Sequence, residues 1–362
     1  MIKNRIKVIC VAAARPNFMK VAPLLEEFKK HQEFKPILVH TGQHYDYNMS
    51  GSFFKELNIQ KPNYNLGIKA GLHGEQTGRT MIEFEKVCLK EKPQLVIVVG
   101  DVNATIACAL VASKLHIKLA HIEAGLRSFN KNMPEEINRI LTDHISDYLF
   151  CPTETAVKNL KKEGIIKNVY NVGDLMYDIF LKNIKIAEKK SKILKTLNLK
   201  PKEYYLATIH RAENTDNKNN MKEIFTALCE IKNIILPCHP RTEKYLKEYK
   251  LWDKVNKNIK IIKPVGYFDM IWLLKNAKKM ITDSGGLQKE AYFAKTPCLT
   301  LRDQTEWTET INNGWNKLIE IDKERIMKNI LTKIKTKTQT KYFGNGKTVQ
   351  KVIKFLSKLK HI

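Results

Sequence analysis

DSGGLQKEA, residues Asp283 to Ala291, follows the apolar run Lys279–Thr282 and opens a helical pattern that reaches Ala294. A strand that runs through Ser-Gly-Gly straight into a helix is half of a parallel β–α unit. Two readings of the stretch stand side by side. Its glycines let the backbone close on a ligand, and the first free N–H groups of the helix, at the positive end of the macrodipole, favour an anion such as phosphate. The plainer reading is an ordinary turn capped by Ser284.

Working outward, the alternation repeats. Tyr205–Ile209 reads as a strand ending in His210-Arg211, and Ile234–Cys238 as one ending in His239-Pro240-Arg241; Ile259–Lys263 and Pro297–Leu301 complete this half. Toward the N-terminus, Ile6–Ala13, Pro36–Val39, Leu95–Gly100, Leu119–Ile122, Tyr148–Cys151 and Val169–Val172 read as buried strands with helices between them. Pro134 and the two acids after it open a helix that carries Glu135, Glu136 and Arg139. Strand alternating with helix through both halves predicts an α/β protein of two Rossmann-like parallel-sheet domains. The Lys-rich, weakly patterned stretch from Leu181 to Tyr204 reads as the linker, and a last helix follows the break at Phe343-Gly344-Asn345-Gly346.

At 362 residues the chain suits two domains with a core each. Its formal charge of +26, from 63 basic and 37 acidic residues, comes mostly from lysines spread over the whole chain. Nucleic-acid binders concentrate charge among aromatics, and no stretch does so here; the basic field suits an acidic small substrate. None of the seven cysteines forms a C-x-x-C pair, which argues for reduced, buried thiols in a cytoplasmic protein and against zinc or a disulfide framework. The N-terminal apolar run is short and flows into Arg15-Pro16, as a first strand does, and no apolar segment approaches membrane-spanning length. AAARPN stands after the first strand where a dinucleotide-binding enzyme carries G-x-G-x-x-G.

Nearly every strand ends in a residue type that chemistry uses: Arg15, Gln43-His44, Asp101, Glu123, His210, His239 and Ser284. In open α/β sheets the ligand crevice lies at the carboxyl ends of the strands, so these residues are expected to line one cleft between facing domains. His239 is left outside the catalytic set, and Arg139 could pair with Glu135 across one helical turn.

The chain resembles the non-hydrolysing UDP-N-acetylglucosamine 2-epimerases. The similarity runs through ARPNFMKVAPL at Ala14, TGQHYDYNMS at Thr41, GDVNAT at Gly100, HIEAGLRS at His121, MPEEINRILTD at Met133, HRAEN at His210 and DSGGLQKEA at Asp283. Each string is short, but their shared order and spacing are specific. The resemblance implies the two-domain fold of one class of nucleotide-sugar glycosyltransferases, the GT-B type, with a first domain over 1–175 and a UDP-binding domain over 176–346. It implies that the C-terminal helix, 347–362, returns to the first domain. It also implies a homodimer, no redox cofactor, and a product that supplies surface polysaccharide synthesis.

The chemistry implied is an anti elimination of UDP across C1 and C2 to a 2-acetamidoglycal, then return of UDP and a proton with C2 inverted. That route needs donors for the departing diphosphate, groups to move the C2 proton, and a cleft that keeps both fragments. Ser284, Gly285 and Gly286 would hold phosphate oxygens, joined by Arg15 and His210. Asp101, Glu123 and Glu135 are the acid/base candidates, with the split of roles open, and Lys20, Arg139 and His210 could hold carboxylates ionised. Gln43 and His44 join the substrate-binding set; by resemblance Glu290 accepts from the ribose hydroxyls, and Val265 and Met270 flank uracil.

Many relatives carry Thr-Glu-Arg-Pro-Glu where this chain reads Thr305-Glu306-Trp307-Thr308-Glu309, which puts an indole in place of a guanidinium. Trp cannot replace that cation, though it can stack on a sugar face. The variant resembles the branch that includes epimerases of UDP-2,3-diacetamido-2,3-dideoxyglucuronate, so the choice of UDP-hexosamine stays open. A glycosyltransferase of the same fold is the reading from another class.

Overall fold

An unbroken apolar strand must be covered on both faces, and β1 (Ile6–Ala12) is: Val8, Ile9, Cys10 and Ala12 are fully buried. The computed structural model describes residues 5–13, 15–42, 61–69, 71–312 and 314–358, and the side chains of Arg15 and Pro16 fall outside that description. The chain divides into two compact units, Met1–Ile179 with Lys341–Ile362, and Phe180–Thr340.

The first unit holds a seven-stranded sheet in the order β3-β2-β1-β4-β5-β6-β7, every described pairing parallel. Its other strands are β2 (Phe34–His40), β3 (Tyr64–Asn65), β4 (Leu95–Val99), β5 (Lys118–Ile122), β6 (Tyr148–Cys151) and β7 (Val169–Asn171). Pro36 is tolerated inside β2 because β3 pairs only with Val39 and His40, which leaves Pro36 a neighbour on the β1 side alone.

The second unit holds a six-stranded parallel sheet in the order β10-β9-β8-β11-β12-β13. Its strands are β8 (Tyr205–Thr208), β9 (Ile234–Pro237), β10 (Lys260–Ile262), β11 (Lys279–Thr282), β12 (Cys298–Thr300) and β13 (Asn316–Leu318). The predicted pair of parallel sheets is what forms. In both sheets the strand order reverses direction once, between β1 and β4 and between β8 and β11. Such a switch point leaves a crevice beyond the strand ends, because the connections on its two sides leave in opposite directions.

One sequence expectation is overturned. Leu181–Tyr204 is no linker: the helix Leu175–Lys190 runs through the boundary between the units, and the helix Ile193–Thr196 follows. Leu175, Met176, Ile179, Phe180 and Ala187 are buried at helical spacing, and lysines on the other positions hide that period from a composition count.

The helix Thr348–Ser357 belongs to the first unit, where Asp178 receives its opening N–H groups, Thr348 N at 2.6 Å and Val349 N at 3.1 Å. Six of the seven cysteines are buried and all are free thiols; burial pushes the Cys10 thiol up to about 12. Among the described residues no helix is long and apolar enough to cross a membrane.

Candidate active site

Asp283 is wholly buried, and its carboxylate accepts from His210 N at 2.9 Å, Arg211 N at 2.9 Å and Asn214 Nδ2 at 3.2 Å. The first residue of DSGG is therefore a brace: it ties the end of β8 to the end of β11 across the switch point. Ser284 then caps the helix Gly285–Ala294, its hydroxyl accepting from Leu287 N at 3.5 Å. The cap does not exclude the anion site. The N–H groups of Gly285 and Gly286 make none of the described hydrogen bonds, Gly286 is exposed, and a Cβ there would meet only Ser284 Oγ at 3.9 Å. Gly285 lets the Glu306 carboxylate approach the helix start, since a Cβ at that position would make the carboxylate shift.

Other sequence-predicted residues gather along this helix. Glu290 is buried and accepts from Tyr267 Oη at 3.1 Å, which joins it to the turn that carries Val265 and to the helix Tyr267–Asn276 that carries Met270. Burial and the Glu290 carboxylate push the Tyr267 hydroxyl well above its ordinary range, so it stays a donor. His210 is partly exposed, with Nδ1 3.4 Å from Asp283 Oδ1. His239, outside the predicted set, caps the helix Pro240–Glu248 by accepting from Arg241 N at 3.1 Å.

Trp307 differs from its sequence reading. Its ring is buried at 4% exposure beside Gly285, with Lys289 Nζ 3.8 Å from the ring centroid, so it is a wall of the helix start and not an open stacking platform. The indole thus packs against a buried cation, Lys289, beside the helix start.

In the first unit, the chemistry-bearing residues again sit beyond the switch strands. Gly100 follows β4 with φ 72° and precedes Asp101; Glu123 follows β5 with φ 71°, a left-handed backbone that costs a non-glycine residue about 1–2 kcal/mol. Lys20, on the helix Arg15–Phe28, forms an ion pair with Glu123. Gly100 lies against this pair, where a Cβ would meet Glu123 Oε2 at 3.5 Å and Lys20 Nζ at 3.7 Å, ordinary contact distances, so glycine suits the position through its φ of 72°. Arg139 pairs with Asp101 through Nη2, and its Nη1 donates to Glu136 at 2.9 Å. It does not pair with Glu135, which makes none of the described hydrogen bonds and is half-buried in the first turn of the helix Pro134–Ile145. Two carboxylates paired with cations, and a third that makes none of the described hydrogen bonds, are groups able to take up and give back a proton. Gln43, His44 and the Arg15 side chain lie outside the described residues.

A family model described as UDP-N-acetylglucosamine 2-epimerase matches residues 26–357. The chain belongs to this family. A UDP-N-acetylglucosamine 2-epimerase homolog of Methanococcus maripaludis is 54% identical, over 98% of this chain and 100% of the relative. The UDP-2,3-diacetamido-2,3-dideoxy-D-glucuronate 2-epimerase of Pseudomonas aeruginosa is 45% identical, over 98% of this chain and 100% of its own. Among solved structures, the UDP-GlcNAc 2-epimerase of Methanocaldococcus jannaschii, in complex with UDP-GlcNAc and UDP, superposes with a TM-score of 0.89 at 49% identity, covering 97% of this chain and 99% of that one. The family resemblance and the fold expected from the sequence strings are both borne out.

The epimerase chain also uses residues that strand-end reasoning passed over. Glu136 is buried and accepts from Ser128 N at 2.8 Å, Phe129 N at 2.8 Å and Arg139, fixing the loop before its helix. Asn138 Nδ2 donates to the Asp101 carbonyl at 2.9 Å. Asp143 receives Arg127 Nη1 at 2.7 Å and Gly125 N at 3.0 Å; burial would raise its carboxyl, but His121 and Arg127 hold it below the ordinary range. The signal was present in MPEEINRILTD, where Glu136, Arg139 and Asp143 recur three and four apart on one helical face and made that face polar yet buried.

Proposed function

We propose that this chain interconverts UDP-N-acetylglucosamine and UDP-N-acetylmannosamine by reversible inversion at C2. The observation that carries the reading is the division of chemistry between the units. One gathers carboxylates held against cations, Glu123 with Lys20 and Asp101 with Arg139, and the other offers an open helix start at Ser284–Gly286 suited to a diphosphate. A base takes the proton at C2, the C–H electron pair forms the C1=C2 bond, and the C1–O pair leaves with UDP. Helix-start N–H groups meet the charge that develops on the diphosphate. In the return step UDP oxygen re-forms the bond to C1, and a proton reaches C2 on the opposite face. No atom is net oxidised, so the route calls for no hydride carrier.

Purified protein incubated with UDP-N-acetylglucosamine in D2O is expected to place deuterium at C2 of both epimers, read by proton NMR and mass spectrometry. Epimer formed with C2 protium retained would overturn the elimination route. Epimer formed without any acceptor also separates this activity from glycosyl transfer. The alternative substrate, UDP-2,3-diacetamido-2,3-dideoxyglucuronate, is favoured by the Pseudomonas aeruginosa relative and by the cation at Lys289 beside the helix start. A panel of both sugars assayed for C2 inversion decides between them by kcat/KM.

The same proposal includes a homodimer. Ile137 and Leu141, 48% and 49% exposed, lie one turn apart on the outer face of Pro134–Ile145, with Phe129 exposed before it and Ile82 and Leu89 exposed on the helix His73–Glu91. Both helices pack beside Asn103–Lys114, so these apolar side chains belong to one flank of the first unit. Light scattering is expected to give twice the chain mass, and Ile137→Glu with Leu141→Glu to give a monomer. An unaltered mass in that variant would remove this face as the interface.

A further inference from the structure

His121 is the last residue but one of β5, two residues before Glu123, and is wholly buried, with no surface open to a ligand. Its Nε2 lies 2.8 Å from the Gly100 carbonyl, and its Nδ1 lies 2.7 Å from Asp143 Oδ1. Both neighbours are oxygen acceptors, so the ring donates from each side. Gly100 and Asp101 share a peptide group, and that group turns through φ 72° at Gly100 to aim Asp101. Asp143 in turn accepts from the N–H of Gly125, two residues beyond Glu123, and from Arg127, which is clamped by Glu163 at 2.7 Å through both Nε and Nη2.

We propose that His121 is a positioning residue for epimerisation: through the Gly100 carbonyl on one side and Asp143 on the other, it fixes the spacing between the Asp101 and Glu123 carboxylates. The two loops that carry those carboxylates leave neighbouring strands, β4 and β5, and both adopt left-handed backbone at the point of departure, at Gly100, Glu123 and Gly125. Backbone held in such conformations relaxes unless its surroundings fix it. Asn138 and Arg139 fasten Asp101 from the helix Pro134–Ile145, and Lys20 fastens Glu123 from Arg15–Phe28. Gly100 N already donates to the Ile122 carbonyl at 3.0 Å; His121 Nε2 holds the other end of the same residue, the carbonyl of the peptide that leads into Asp101. Removing the His121 bond would keep the Gly100 N–H on β5 and each carboxylate paired, but would free the peptide between Gly100 and Asp101 to turn and so let Asp101 drift with respect to Glu123. Proton transfer at C2 is sensitive to such drift, because a misplacement of about 1 Å can cost about 10²-fold in rate.

Two substitutions separate positioning from mere filling of space. In His121→Gln the amide nitrogen falls near the place of Nε2 and can still donate to Gly100; in His121→Asn it falls near Nδ1, serves Asp143, and leaves the Gly100 carbonyl without the bond. The inference rests on the epimerase reading, and turnover by the unaltered chain in the same assay tests that reading separately. Expected for His121→Asn is a kcat lowered about 10²-fold with KM and UDP affinity within about threefold of the parent, and for His121→Gln recovery of most of the loss. Asn and Gln variants with equal kcat, or losses that track KM and UDP affinity, would overturn the proposal. Failure of both variants to fold would overturn it as well, since the contact would then serve stability and not the spacing of the carboxylates.

Discussion

Glu123→Gln is expected to lower kcat by roughly 10³-fold while leaving UDP affinity within about threefold of the parent. The substitution keeps the volume of the side chain, its left-handed backbone at φ 71° and an oxygen to accept from Lys20, so the architecture around Gly100 has no reason to change. What it removes is the ability to take up a proton. The 7% exposure of Glu123 matters here, because water has little access to substitute for the missing carboxylate. UDP affinity is a separate quantity: the residues suited to the nucleotide, Ser284, Gly286, Glu290 and Tyr267, belong to the other unit. Initial-rate kinetics and calorimetric titration with UDP read the two independently. A fall in kcat under tenfold would take Glu123 off the acid/base list, and a parallel loss of UDP binding would show that the variant had disturbed more than one proton.

The sequence was most legible where one local rule dominates. Val8–Ala12 and Leu95–Val99 are uniformly apolar because both faces of a parallel strand are covered, and eleven of the thirteen described strands follow from that pattern or from the turn residues around it; the short edge strands Tyr64–Asn65 and Asn316–Leu318 do not. The helix start at Ser284 was legible because Gly285 and Gly286 are informative residues: one gives way to Glu306, and the other leaves the helix end open. Partnerships were not legible. Nothing in a one-dimensional pattern distinguishes Glu135, which makes none of the described hydrogen bonds, from its neighbour Glu136, which is buried under four donors, except the helical phase that turns one outward and the other inward. The Leu181–Tyr204 stretch failed for the opposite reason, since lysines on exposed positions diluted an amphipathic pattern that its buried positions obey. Trp307 could not be read at all without Lys289, which is eighteen residues earlier in the chain and in contact with it only because the helix start brings them together.

Asp283 deserves the second large effect, although its own side chain faces protein and not substrate. Asp283→Asn is expected to destabilise the chain by about 3 kcal/mol, to weaken UDP binding at least tenfold, and to lower kcat about 10²-fold. The carboxylate oxygens are surrounded by donors: Oδ2 receives His210 N, Arg211 N and Asn214 Nδ2, and Oδ1 faces His210 N at 3.2 Å and His210 Nδ1 at 3.4 Å. An amide offers one acceptor and one donor group. If its oxygen takes the Oδ2 place, the three donors on Oδ2 keep their acceptor, but its NH2 is a buried donor set against the His210 N–H and ring, at about 1–3 kcal/mol if it finds no acceptor. The ring can accommodate the NH2 only by accepting it at Nδ1, which places the proton of a neutral imidazole on Nε2, the tautomer opposite to the one that a carboxylate at Nδ1 selects. His210 would then present a donor where the parent can present an acceptor. The same change loosens the tie between β8 and β11, so the end of β8 and the helix start at Ser284 lose their fixed separation just where the switch point opens. Urea denaturation, UDP calorimetry and initial rates measure the three effects. Stability within about 1 kcal/mol of the parent would show that the brace is dispensable, and a kcat unchanged in a folded variant would remove the tautomer argument for His210.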